Sequence, residues 1–361
     1  MKKFMLILMV LVMVLSGCKA NTLSQEGEEP VVVNPSEVEE ATEATKVEVD
    51  QAIEEVIAEV ETSEAETIDT KVVEAIRPLV EAGDLKAVWS YLELELPRTN
   101  GLTGERLILD YMVLAEAQVF AASDPLYEVG WGIHEEIYQV IDEHENEFAQ
   151  SYVVLGEDKA RLLTYMTEEN KKVLSEVFDR GYGLISAEGS YYAVVDYEML
   201  LNMPQSPYSE MTMTYLDLQR SALIRQTTIE EYLNISPDEL MERCIGIEEF
   251  LMTYEERPEI YTDMMTHQLN LCLYKLSLPS PFDNSLDEDG SLSKDFTRIY
   301  EIILETEPTP VVTEVVKGIT GWIDSREGGY VATYNDSEDL YAISGEIYGK
   351  AAERVTALYK D

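Results

Sequence analysis

The sequence predicts an all-α protein in which stacked antiparallel helix pairs follow a disordered acidic N-terminal linker. From Thr70 onward, apolar residues recur at steps of three and four, the spacing that places them on one face of a helix. Segments that alternate apolar and polar residues, as half-buried strands do, are scarce. Only residues 330–334 look briefly strand-like.

The first 17 residues have the pattern of an export signal that is removed. Lys2 and Lys3 give a positive start, and residues 4–15 are apolar without interruption. This stretch is shorter than the roughly 20 residues of a spanning helix, so an uncleaved anchor is the less favoured alternative. Leu15-Ser16-Gly17-Cys18 resembles the lipobox of bacterial lipoproteins. The resemblance implies a lipid (diacylglyceryl, with palmitate-type chains) on Cys18 and a chain held on the extracytoplasmic face of the cell membrane.

Residues 18–69 form the predicted linker between that lipid and the domain. They are rich in Glu, Thr, Ser and Val and contain no aromatic residue. Low aromatic content with high charge predicts a disordered, self-repelling chain. Apolar positions at helical spacing leave a short helix open at residues 49–60. Residues 70–361 are then the helical extracytoplasmic domain.

The charge balance excludes one class of partner. The chain has 71 Asp and Glu against 26 Lys and Arg, a formal net charge of -45. The electrostatic field of a protein with this negative charge repels nucleic acid and attracts cations and basic partners. We therefore expect no nucleic-acid partner, and solubility at a crowded surface already accounts for acidity on this scale.

Helices are predicted in order along the domain. Residues 101–104 are predicted as a loop and residues 107–122 as a long helix, with Ser123-Asp124-Pro125 starting the next one. Further helices are predicted at residues 156–166 and 168–179.

Two later segments have the character of helix pairs. In residues 236–276, Ser236-Pro237-Asp238-Glu239 is a start signal and Arg257-Pro258 separates two apolar-periodic halves. A similar order recurs around Pro308, fifty positions after Pro258. Stacked pairs of the tetratricopeptide kind would explain both segments.

The most distinctive segment is residues 181–197, which we interpret as a glycine-punctuated, aromatic-rich turn between helices. Its candidate ligand-binding side chains are Glu188, Tyr191, Tyr192, Asp196 and Tyr197. Tyrosine rings and carboxylates can bind a sugar or a peptide by stacking and hydrogen bonding. The alternative is that these residues cap and pack a helix junction.

This segment also carries a resemblance to a family. Ser186, Ala187, Glu188, Gly189, Tyr191, Tyr192, Asp196 and Tyr197 match a string that is similar to one in uncharacterised helical surface lipoproteins of low-GC Gram-positive bacteria. The Glu248-Glu249-Phe250-Leu251 and Phe282-Asp283-Asn284 stretches extend the resemblance over residues 155–307. It implies a helical lipoprotein and no particular reaction.

Metal and nucleophile chemistry have little support in the sequence. Asp287 and Asp289 lie in a stretch similar to a calcium loop, but Phe296 stands where a bidentate Glu should be. His134 lacks the second histidine of a zincin motif. Cys244 and Cys272 are predicted to be buried free thiols, with a disulfide as the alternative. We expect no cofactor.

The sequence thus favours a non-enzymatic, membrane-tethered binding or interaction module whose partner is an envelope protein, a peptide or a wall component. Two alternatives stay open. A solute-binding lipoprotein would need alternating strands and helices that build two lobes. An enzyme acting on wall polymers would use Glu188 or Asp196 as its acid or base.

Overall fold

Helices make up most of the described chain, which confirms the predicted fold class. The computed structural model describes residues 67–150, 152–187, 189–204, 208–229, 232–277, 285–287, 291–325 and 337–360. Glu66–Asp361 belongs to one compact unit, and Met1–Ala65 lies outside the described residues. Cys18, the predicted linker up to residue 66, the short helix left open at residues 49–60 and the strand-like residues 330–334 therefore fall outside them too.

Thirteen α-helices lie within the described residues. In chain order they are α1 (Thr70–Glu81), α2 (Leu85–Glu95), α3 (Gly101–Glu128), α4 (Gly132–Glu143), α5 (Glu157–Tyr165), α6 (Glu168–Phe178), α7 (Tyr197–Asn202), α8 (Glu210–Ile224), α9 (Pro237–Thr253), α10 (Glu259–Ser277), α11 (Lys294–Thr306), α12 (Pro310–Asp324) and α13 (Ser337–Tyr359). Short 3-10 turns occur at Leu96–Arg98 and Glu145–Glu147.

Side-chain caps encoded in the sequence start several of these helices. The Asp69 carboxylate accepts the backbone N–H groups of Lys71 and Val72 at the start of α1. Serine hydroxyls do the same for three later helices, namely Ser209 at α8, Ser236 at α9 and Ser293 at α11. Each cap satisfies an N–H group that has no partner within its own helix.

The long helix α3 differs from its prediction at both ends. Residues 101–104 form its first turn, not a loop, because the Asn100 side chain accepts the N–H of Thr103 at 2.8 Å. Ser123-Asp124-Pro125 lies inside α3, so the predicted helix start there is wrong. Proline removes one backbone hydrogen bond. Full burial of Leu126, the residue that follows Pro125, offsets that loss.

A three-stranded antiparallel sheet replaces the irregular turn predicted at residues 181–197. Strands β1 (Val153–Val154), β2 (Tyr182–Ala187) and β3 (Ser190–Val195) lie in that order, with Tyr182 opposite Val195 and Ala187 opposite Ser190. A second, two-stranded sheet pairs β4 (Thr228–Ile229) with β5 (Tyr232–Leu233). The turn prediction is wrong because side chains alternate between buried and half-buried along β3, the period of a strand with one covered face.

The β2–β3 hairpin is fixed to α3 by side-chain hydrogen bonds. The Tyr182 hydroxyl donates to the carbonyl of Ala115 at 2.7 Å, and the hydroxyl of Ser123 accepts the N–H of Ala193 at 3.0 Å. Before β2, the Tyr111 hydroxyl donates to the carbonyl of Gly181 at 3.0 Å. The hairpin therefore keeps one position on the helix.

The predicted helix pairs near the C-terminus are present. Helices α9 and α10 pack together, as do α11 and α12, and α13 contacts both α10 and α12. The short connections make each pair antiparallel. Glu248 ties the pairs together, since its buried carboxylate accepts the N–H groups of Val311 and Val312 and the hydroxyl of Tyr359.

Cys244 on α9 and Cys272 on α10 are buried free thiols, which confirms the prediction. Burial raises the pKa of the Cys244 thiol well above its ordinary value. A thiol in this state is a poor nucleophile. Among the helices that the structure describes, none is both long and apolar enough to cross a membrane.

Candidate functional site

Four aromatic or imidazole side chains meet beside the turn of the β2–β3 hairpin. Tyr127 comes from the last turn of α3, Trp131 and His134 from the start of α4, and Tyr192 from β3. Ring centroids are 5.3 Å apart for Tyr127 and His134, 5.6 Å for Trp131 and His134, and 5.7 Å for Tyr127 and Tyr192. We call these four residues the aromatic cluster.

Trp131 forms the exposed side of the aromatic cluster. Its exposure is 54%, although an indole of this size is usually covered. Glycines stand on both sides of it, and Gly130 has a φ of 85°. A Cβ built on Gly189, in the hairpin turn, would lie 3.8 Å from Cη2 of Trp131. The indole thus reaches from the start of α4 to the hairpin turn.

His134 forms the floor of the aromatic cluster and is only 1% exposed. Its Nδ1 accepts the backbone N–H of Tyr191 at 3.0 Å. In the neutral ring the proton is therefore on Nε2, and burial lowers the pKa of His134, which favours that neutral ring. Within the described residues, Nε2 is buried and has no hydrogen-bond partner. An unsatisfied donor of this kind is uncommon in a folded protein.

Tyr127 and Tyr192 form the remaining side of the aromatic cluster. Tyr127 is 44% exposed, and Tyr192 is half-buried. Burial, followed by the Tyr192 hydroxyl, raises the pKa of Tyr127 to about 12, so its hydroxyl is neutral at physiological pH. Tyr127 and His134 are therefore both uncharged at neutral pH.

The structure separates the five ligand-binding residues that the sequence indicates. Tyr192 belongs to the aromatic cluster, and Glu188 lies outside the described residues although it precedes the turn residue Gly189. Tyr191 is fully buried, with its ring 4.7 Å from that of Tyr138. Asp196 and Tyr197 are buried too, away from the hairpin turn, at the start of α7.

Asp196 is engaged in holding the fold together. Its carboxylate accepts the N–H of Gly156 at 2.9 Å and caps α7 through the N–H of Met199 at 3.1 Å. The ammonium group of Lys159 lies 2.6 Å from the same carboxylate. With 0% exposure, Asp196 presents no surface to a ligand in this structure.

Tyr197 is likewise engaged in the interior. Its hydroxyl donates to the Glu116 carboxylate at 2.9 Å. Burial raises the pKa of Glu116 above its ordinary value, and this hydrogen bond opposes the rise. The contact therefore joins α3 to α7.

An acidic cleft of about 460 Å³ lies beside β1, since Val153 and Leu155 are among its lining residues. Glu157, Asp158 and Glu198 line it together with Arg161. Asp158 accepts the N–H of Ala149 at 2.9 Å and pairs with Arg161, so its oxygens are occupied. Burial and the negative charge of Asp196 raise the pKa of Glu198.

The described residues contain no group of three or more His, Cys, Asp or Glu side chains that could hold a metal ion. Asp287 donates its backbone N–H to the carbonyl of Ser291 at 2.8 Å in a small loop, and Asp289 lies outside the described residues. The candidate metal residues Asp287 and Asp289 therefore stay a prediction.

Sequence reasoning missed Tyr127, Trp131 and His134. The signal it could have used is Gly130-Trp131-Gly132, a large ring between two residues that permit unusual backbone angles. From the sequence alone, His134 was considered only as a metal ligand. That interpretation does not predict that the histidine is buried and in contact with aromatic rings. Comparison of the chain with protein-family models, curated proteins and solved structures gives no match.

Proposed function

We propose that this protein is a lipid-anchored, extracytoplasmic binding module without enzymatic activity. Cys18 would hold it to the membrane, and the aromatic cluster would hold a sugar or peptide component of the cell envelope. One observation carries the proposal: a half-exposed Trp131 lies against a buried His134 whose Nε2–H has no partner within the described residues.

The chemistry of the aromatic cluster supports binding. Half-exposed rings offer apolar faces for stacking, and each ring holds its shape with few rotatable bonds. The unpaired N–H supplies a directional donor, which fixes the orientation of a stacked ligand. Rings together with a few polar groups are typical of small-ligand sites.

The anchoring part of the proposal is supported by sequence alone. Leu15-Ser16-Gly17-Cys18 follows a short apolar stretch, and the acidic segment after it would keep the domain away from an anionic membrane surface. Two or more acyl chains hold a protein firmly, whereas one chain binds reversibly.

Geometry disfavours a two-lobed solute-binding protein and catalysis through Asp196, whereas Glu188, the other candidate acid or base, lies outside the described residues. Catalysis through Asp196 would need an accessible carboxylate, but this one is buried against Lys159 and two backbone N–H groups. A two-lobed solute-binding protein is built from alternating strands and helices, whereas most of the described helices follow one another directly.

Binding is tested with the full chain in mild detergent, immobilised through a C-terminal tag and exposed to solubilised wall fragments. We expect retention of a wall component by the wild type and a loss of at least about tenfold with Trp131→Ala, the scale of one stacking contact. Phe120→Ala is the matched control, because Phe120 is an exposed aromatic residue on α3 outside the aromatic cluster. Equal retention by all three proteins would contradict the assignment of the site.

Anchoring is tested separately by labelling cells with a clickable palmitate analogue. The wild-type chain should carry the label and sediment with membranes, and Cys18→Ser should lose both properties. A labelled Cys18→Ser chain would place the lipid elsewhere.

A further inference from the structure

We infer that Trp131 covers a subsite for a neutral, N-acetylated pyranose sugar, with the indole stacked on the sugar ring and Nε2–H of His134 donating to the acetamido carbonyl. This inference rests on the proposed function, since it names the ligand class of the same site. It is carried by the backbone around Trp131, the unpaired donor beneath it, the open start of α4 and the absence of charge in the aromatic cluster.

The backbone around Trp131 can let the indole move. Gly130 has a positive φ, and a Cβ added to Gly130 or Gly132 would meet nothing within 4 Å. Glycine on each side lowers the cost of changing the backbone angles at Trp131. Because more than half of the Trp131 side chain is already exposed, a shift of the ring sacrifices little packing.

The donor beneath the indole is oriented before any ligand binds. The Tyr191 N–H fixes the His134 ring through Nδ1, which leaves the Nε2–H pointing away from that contact. An unsatisfied buried donor lowers the stability of the folded protein, because it has lost its hydrogen bond to water. A carbonyl oxygen that reaches Nε2 when Trp131 moves would remove this cost.

The start of α4 adds further donors. Trp131 is the N-cap residue of this 12-residue helix, and its side chain makes no capping hydrogen bond. The N–H of His134 donates to the Trp131 carbonyl at 3.1 Å, so the first-turn donors in question are the N–H groups of Gly132 and Ile133. Such N–H groups attract oxygen acceptors, helped by the positive end of the helix dipole. Sugar hydroxyl and acetamido oxygens are acceptors of this kind.

The ligand should be uncharged. The ring contacts within the aromatic cluster join neutral groups, so a bound charge would lose water without gaining a counter-ion from them. Asp124, Glu128 and Glu135 are exposed and lie within three positions of Tyr127 or His134 in the sequence, and their charge would repel an anionic polymer. An N-acetylated pyranose combines a neutral ring with C–H groups on one face and an amide carbonyl.

The test titrates the purified full chain, in detergent, with the tetrasaccharide of N-acetylglucosamine and follows binding by isothermal titration calorimetry, a readout that does not depend on the Trp131 indole. We expect a saturable change in the wild type, and binding at least about tenfold weaker for Trp131→Ala. Trp131→Phe keeps a ring and should recover part of the affinity. Maltotetraose, which lacks the acetamido group, should bind at least about tenfold more weakly than the acetylated sugar.

Nitrogen-15 spectra of labelled histidine provide the second measurement, since they need no variant that removes His134. The Nε2 resonance of His134 should move with the acetylated sugar, while that of the exposed His267 stays in place. Equal affinity for both sugars, or an unmoved His134 resonance at saturation, would overturn the inference. Binding of a wall peptide at Trp131 with no binding of sugar would overturn it too, and would leave the proposed function standing. No binding of any wall component would defeat both.

Discussion

The ammonium nitrogen of Lys159 lies 2.6 Å from a carboxylate oxygen of Asp196, and both residues are buried. The Lys159 nitrogen also lies 5.8 Å from the ring centroid of Trp89 and 5.7 Å from that of Phe178. This pair joins α5 to the start of α7. The fold therefore depends on an ion pair where the sequence suggested a ligand.

Asp196→Ala should lower the free energy of unfolding by about 3–5 kcal/mol, because it leaves the Lys159 charge buried without a partner and removes the cap of α7. Urea denaturation followed by circular dichroism measures the loss. Asp179→Ala is the matched control: Asp179 pairs with Lys86 at 2.7 Å, but both side chains are about half exposed. This control should cost at most about 1 kcal/mol. Similar losses for the two variants would show that Lys159 finds another partner.

Glu248→Gln should destabilise the C-terminal helix pairs by about 1.5–3 kcal/mol, the range for hydrogen bonds to a charged group. Both carboxylate oxygens accept N–H groups at the start of α12, and a glutamine amide would turn a donor toward one of them. Glu249→Gln, at the exposed neighbouring position, should change stability little. The test compares the denaturant midpoints of the two variants. Equal midpoints would contradict the stabilising role of Glu248.

Glu116→Gln should stabilise the protein at neutral pH. Burial raises the folded-state pKa of Glu116 above the ordinary 4.5, so the folded protein holds a proton there that the unfolded chain releases. Stability from this group is present below pH 4.5 and is lost as pH rises through the folded pKa. Glutamine does not titrate in that range and keeps an oxygen for the Tyr197 hydroxyl.

The prediction for Glu116 is checked by measuring the melting temperatures of the wild type and of Glu116→Gln from about pH 4 to neutral pH. The two curves should meet near pH 4 and separate as pH rises. Glu93→Gln, at an exposed position, controls for the loss of one negative charge from a strongly acidic chain. A wild-type-like profile for Glu116→Gln would show that the carboxylate is solvated.

Local signals in the sequence predicted most of the helices, apart from the two ends of α3, but they did not predict the hairpin. Helix periodicity and cap residues are local signals, which is why the segments around Ser236 and Pro258 were placed correctly. The hairpin also had a local signal, since two β-prone runs are separated by Glu188-Gly189 and Gly189 has a φ of 75°. The glycines and tyrosines of this segment were taken as evidence for a turn.

The candidate site was harder to predict because its members are far apart in the chain. Tyr127 and Tyr192 are separated by 65 positions, and only the docking of the hairpin on α3 brings their rings to 5.7 Å. A sequence motif contains no information about that docking. Asp196 was wrongly predicted to bind a ligand because its signal is local but ambiguous. A carboxylate directly before a helix can cap that helix or bind a ligand, and here it caps α7.

Gly181→Ala should be among the most damaging single substitutions outside the ion pair. Gly181 has a φ of 84°, and an added Cβ would lie 2.2 Å from the Trp89 ring and 2.4 Å from the Tyr111 hydroxyl. Backbone strain and overpacking each cost about 1–3 kcal/mol, so we expect the free energy of unfolding to fall by about 2–5 kcal/mol.

Gly246→Ala should raise the free energy of unfolding instead, because Gly246 lies inside α9 and an added Cβ meets nothing within 4 Å. Alanine in a helix interior gains about 0.5–1 kcal/mol over glycine. Thermal unfolding of the two variants beside the wild type separates them by sign, and a neutral Gly181→Ala would mean that the hairpin can shift away from Trp89.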